Sequence, residues 1–188
     1  CGANRNQIGS LRLKKGSIPR KDIARSISGE VVVSTRLAET VQKRGMKGVS
    51  FNPVIFGTEV SNYFQVEVTS SALELTKQTI VGHNVFNLST DAGEEQEFTV
   101  SGNHTVKFER AVFWCPKGHL LGARLISEPH VKNVSTISDF DVFVSRQKVG
   151  VKQGLLRPEP IYFCSPAFRE MVLKEKLTGF DFEIARID

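Results

Sequence analysis

Residues 31–51 read VVVSTRLAETVQKRGMKGVSF, and residues 162–182 read YFCSPAFREMVLKEKLTGFDF; the two align end to end without a gap. Ser34 falls on Ser165, Leu37 on Phe168, Val41 on Val172, Met46 on Leu177, Gly48 on Gly179 and Phe51 on Phe182. Each stretch reads as an apolar strand, a serine placed to cap a helix, an amphipathic helix, a glycine turn and a second strand. A helix that joins two strands lies on one side of a sheet. The match therefore predicts an α+β chain, with duplicated strand–helix–strand units around a mixed or antiparallel sheet. Such a unit explains packing and brings no catalytic group with it.

The rest of the chain fits around these anchors. The expected layout is a first unit over 11–56, a central β-rich region over 57–131 and a second unit over 132–188, in one compact domain. Ahead of the first strand of the match, Asp22 to Ile27 reads as one or two helical turns ended by Gly29. Residues 60–69, VSNYFQVEVT, alternate as strands do. Two strand-like runs, 96–101 and 104–114, flank Gly102-Asn103 and predict a central hairpin. An aspartate precedes each unit, Asp22 in the first and Asp139 in the second.

Composition narrows the class. In 188 residues, 40% hydrophobic content is enough for a core. Nothing approaches the run of about 18 apolar residues that a membrane-spanning helix needs. The expectation is a cytoplasmic monomer or small homo-oligomer. Three cysteines, an odd count, argue for reduced thiols or a metal site over a disulfide framework. Cys164, inside the strand-like run IYFCS, reads as a buried free thiol.

Cys115 carries the strongest chemical signal. A strand runs into Cys115-Pro-Lys-Gly118, the form of a zinc knuckle, and His119 follows with a ring nitrogen. Cys1-Gly2 looks like the second half of a Cys-x-x-Cys-Gly knuckle. Cys1, Cys115 and His119 are therefore the candidate ligands of a structural zinc in a degenerate zinc ribbon, although Gly118 stands where a second knuckle cysteine belongs. The competing reading is a turn thiol at Cys115 and a surface histidine at His119.

No phosphate loop, HExxH or nucleophile elbow is present. The acidic set Asp91, Glu94, Glu95 and Glu97 reads as a solvated loop cluster, and Ser34 and Ser165 as helix caps. A non-enzyme is expected. The net charge of +5 gathers early in the chain. Lys14, Lys15, Arg20 and Lys21 are the candidate phosphate contacts if the protein binds nucleic acid, and a solvated basic face otherwise.

The repeated pattern of Asp, Val-Ser or Cys-Ser, an apolar helix face and Gly-Val/Phe-x-Phe resembles the C-terminal unit of bacterial polymorphic-toxin immunity proteins. Two groups share it: the double-CxxCG family of myxobacterial toxin systems, and the immunity family numbered eleven, long described as a domain of unknown function. Asp22 or Asp139, Ser34 or Ser165, Gly48 or Gly179, and Phe51 or Phe182 occupy the matching places. Cys1-Gly2 and Cys115 to Gly118 stand in the order of the two knuckles. The resemblance implies a non-catalytic inhibitor that binds a cognate toxin, with zinc as a structural staple. It names no toxin-contacting residue.

Overall fold

The computed structural model describes residues 7–18, 20–76, 78–81, 86–87, 96–100, 104–108, 128–135, 137–149 and 158–188. Its first half holds β1 (Arg12–Leu13), β2 (Ile23–Arg25), β3 (Val31–Ser34), α1 (Thr35–Lys43), β4 (Val49–Phe56) and β5 (Glu59–Val68). These strands form one sheet in the order β1-β4-β5-β3-β2. β5 lies between β3 and β4 and is antiparallel to both, so the strands joined by α1 run parallel with β5 between them. The sheet curls into a half-barrel. A register shift between Pro53 and Ile55 on β4 supplies a bend of the kind a bulge produces.

Further along come β6 (Ile80–Val81), β7 (Phe86–Asn87), β8 (Gln96–Val100), β9 (His104–Phe108) and β10 (His130–Val131). β8 and β9 pair antiparallel with Val100 opposite His104, as the central hairpin requires; Gly102-Asn103 lies outside the described residues. A 3₁₀ turn (Ile137–Asp139) leads into β11 (Val142–Val149), β12 (Glu159–Cys164), α2 (Pro166–Lys174) and β13 (Arg186–Ile187). β11 pairs antiparallel with β12, and β10 pairs parallel with β13. The class is α+β, as expected.

The two helices start and stop by the same local chemistry. Ser34 (φ −70°, ψ 158°) caps α1 by accepting a hydrogen bond from the Leu37 N–H. Ser165 (φ −67°, ψ 157°) caps α2 by accepting from the Phe168 N–H. Such a cap satisfies one of the orphan donors of a first turn and stabilises by about 1 kcal/mol. α1 buries Leu37, Ala38 and Val41; α2 buries Phe168, Met171 and Val172. Both end on a left-handed residue, Gly45 at φ 64° and Lys176 at φ 50°.

Three local expectations are corrected. Residues 23–25 form a strand and not helical turns, because Ile23, Ala24 and Arg25 pair with Val33, Val32 and Val31. The aspartate that serves the second unit is Asp141 and not Asp139, which sits in the 3₁₀ turn. The final strand of the second unit is not formed: residues 180–185 carry no regular structure, whereas their counterparts in β4 are held by β5. A strand needs a partner on its ladder, and among the described residues 180–185 have none.

Both helices feed one core. Val33, Leu37, Ala38, Val41, Val142, Phe168, Met171, Val172 and Leu177 are buried together. A second cluster joins Leu73, Leu75, Val131 and Phe143, with Ile161 and Phe163 packed against it. β12 thus turns Cys164 toward the first core and Ile161 and Phe163 toward the second.

Candidate binding groove

Two aspartates fix how the halves of the chain meet. Asp22 Oδ1 accepts from Ser34 Oγ at 2.8 Å, and its Oδ2 accepts from the Thr178 N–H at 2.8 Å and from Thr178 Oγ1 at 3.1 Å. Asp141 Oδ1 accepts from Ser165 Oγ at 2.7 Å, and its Oδ2 accepts from the Lys47 N–H at 2.8 Å. Each aspartate therefore holds the cap of its own helix and the turn after the other one. Backbone bonds repeat the exchange: Asp22 and Ile23 donate to Thr178 O, and Asp141 and Val142 donate to Lys47 O. Gly48 and Gly179 sit at these crossings.

Asp22 is buried, which disfavours its charged form, yet its carboxyl is held below its ordinary value of 3.8. The hydrogen bonds from the Thr178 N–H, Ser34 and Thr178 Oγ1, with the Arg36 guanidinium at 3.4 Å, outweigh the burial. A depressed folded value means the unfolded chain binds the proton first as pH falls. Stability from Asp22 is thus present above pH 3.8 and is lost as pH falls through the lower folded value. We expect urea midpoints to decline below about pH 5, and the decline to be shallower in Asp22→Asn. Equal slopes in the two proteins would contradict this.

A groove opens in the second half of the chain. β11 and β12 are paired; β11 bridges to Leu73 through Ser145; Leu75 bridges to Val131 of β10; and β10 pairs with β13. Among the described residues these contacts trace a ring that lacks one link, between β12 and the segment 181–185. The space inside is a cavity of ≈ 850 Å³ floored by Leu73, Val131, Phe140 and Phe143. Its rim carries Asp181 and Glu183, both exposed, and among the described residues no lysine or arginine lines it. A smaller cavity of ≈ 300 Å³, lined mainly by core side chains, lies between the halves.

The open link leaves a bare strand edge. Ser165 N–H donates to Asp141 O and Ile161 N–H to Ser145 Oγ, so odd-numbered residues of β12 point their backbone groups at β11. By the alternation of a strand, Tyr162 and Cys164 point theirs the other way, into the groove. Among the described residues these groups have no partner. Cys164 is a free thiol, half-buried, and burial pushes its pKa up despite the opposing charge of Arg169. Arg25 covers the neighbouring Tyr162 ring at 5.5 Å and pairs with Glu159 at 2.5 Å.

Of the residues singled out in the sequence, Cys164 lines the groove. Cys1, Cys115 and His119 lie outside the described residues. The zinc expectation is corrected: among the described residues, no group of three or more His, Cys, Asp or Glu side chains could hold a metal ion. Lys14, Lys15, Arg20 and Lys21 are all exposed on the segment between β1 and β2, and none makes an ion pair among the described residues. The groove escaped sequence reasoning because its walls are ordinary apolar strand residues. Among the described residues, no helix is long and apolar enough to cross a membrane. No family model, no curated protein and no solved structure matches the chain.

Proposed function

We propose that this is a non-catalytic binding protein that neutralises a cognate bacterial toxin by holding it at the groove beside β12. The observation that carries the reading is a largely apolar cavity along the edge of β12, an edge without a partner among the described residues, on a scaffold locked by Asp22 and Asp141. Rigid apolar pockets with a polar rim are where binding energy concentrates. The reading includes a duplication in which the two Asp–Ser–helix–Gly units descend from one module. Co-expression with a toxin domain encoded beside the gene tests it. Rescue of growth and co-purification are expected; a toxin that still kills and does not bind would defeat it.

The exposed cations Lys14, Lys15, Arg20 and Lys21, without an ion pair among the described residues, support a second reading, binding of nucleic acid. Its mark would be affinity for DNA or RNA that falls steeply with salt and is lost when the four are neutralised.

A further inference from the structure

We propose that the ≈ 300 Å³ cavity between the halves is a binding site for one uncharged, ring-bearing apolar small molecule of roughly ten to twelve non-hydrogen atoms. The inference goes beyond the toxin reading and stands without it.

Protein interiors are close-packed and hold few voids larger than a water molecule. This one lies where Val33, Phe51 and Val66 of the sheet face Leu37 of α1 and Phe168 of α2. Phe51, Val66, Phe180 and Phe182 pack against the core yet stay half-buried, and each lines the cavity. The clasp between the halves holds the space open. Ile23 and Val142 both line it, and each is tied to the other half: Ile23 N–H donates to Thr178 O at 3.2 Å, and Val142 N–H to Lys47 O at 3.2 Å. The residues before them are Asp22 and Asp141, whose carboxylates accept from the Thr178 and Lys47 N–H groups. Closing the void would draw the halves together and break these bonds. A preformed pocket of aliphatic and aromatic side chains at such a junction is the usual form of a small-molecule site.

Size and charge define the occupant. An apolar cavity of about 150 Å³ takes up benzene, and this one is roughly twice as large. The walls favour a ring. Phe180 and Phe182 stack with centroids 5.5 Å apart and planes 6° apart, and Phe168 meets Phe180 edge-on at 6.2 Å. One more aromatic ring extends a cluster that already exists. An ion is disfavoured. Among the described residues, Arg25 and Asp181 are the charged side chains that line the cavity, and both are exposed where it meets solvent. Arg25 is already paired with Glu159 and laid over the Tyr162 ring, and the apolar interior offers a buried charge no partner.

The probe is naphthalene, titrated into the full chain by calorimetry. Saturable one-to-one binding is expected, and bound naphthalene should slow modification of Cys164, which lines the cavity, by N-ethylmaleimide, read by peptide mass spectrometry. The ions 2-naphthoate and 2-naphthylmethylammonium should each bind at least about tenfold more weakly. Val66→Phe fills the cavity from β5, so it should weaken naphthalene at least about tenfold while the melting temperature stays level or rises. Ile184→Arg alters the larger groove and not this cavity, so affinity should not change. No saturable binding would overturn the proposal, as would either ion binding as tightly as naphthalene. A folded Val66→Phe protein with full affinity would overturn it too, and a loss of affinity in Ile184→Arg would place naphthalene in the groove instead. Should Val66→Phe not fold, Cys164 in the parent and in Ile184→Arg decides: protection in both supports the cavity, and protection in neither overturns it.

Discussion

Gly179→Ala should destabilise the protein by about 4 kcal/mol, the sum of backbone strain at positive φ and a steric clash. Gly179 has φ 94°, and a Cβ there would stand 2.4 Å from Ile23 O and 3.2 Å from the Lys21 Cβ. Ile23 O is backbone inside β2 and cannot swing away. At this chain length the loss corresponds to a melting temperature lower by roughly 8–16 °C. Gly48→Ala should behave alike, since its φ is 99° and its Cβ would lie 2.3 Å from Val142 O. Gly45 is the control: its φ is 64°, and an alanine Cβ there would meet no atom within 4 Å. Gly45→Ala should cost only about 1 kcal/mol, the left-handed penalty alone. Lys176, at φ 50° in the corresponding place of the second unit, already shows a side chain accommodated there. Equal losses at Gly45 and Gly179 in thermal and urea unfolding would contradict the close-approach explanation.

Asp22→Ala is expected to cost about 3–5 kcal/mol, the range for removing one partner from a buried charged network. It strands Ser34 Oγ, Thr178 Oγ1 and the Thr178 N–H, which all converge on one carboxylate. Asp22→Asn keeps an acceptor oxygen but loses the charge, so a smaller loss is expected. Asp141→Ala should cost about 2–3 kcal/mol, since two donors, Ser165 Oγ and the Lys47 N–H, reach it through charge-assisted bonds. Urea unfolding of each variant measures these values. An Asp22→Ala midpoint matching the parent would mean that the core alone holds the halves together.

What the sequence determined by itself is local. Ser34 and Ser165 cap helices because a serine oxygen reaches the N–H three residues on, whatever surrounds it. The apolar spacing of Leu37, Ala38 and Val41 placed the buried face of α1, and Gly102-Asn103 marked the central hairpin between β8 and β9. Tertiary structure decided everything that depends on a distant partner. Residues 23–25 became a strand because β3 lay beside them, and pairing across a sheet overrides a weak helical preference. Asp141 displaced Asp139 because the residue immediately before β11 reaches both Ser165 and Lys47. The groove is of the same kind: Phe182 and its neighbours carry the sequence of a strand, and β5, which makes a strand of their counterparts, is already committed between β3 and β4. A ladder is a property of two segments, so one segment's sequence cannot say whether its partner is there.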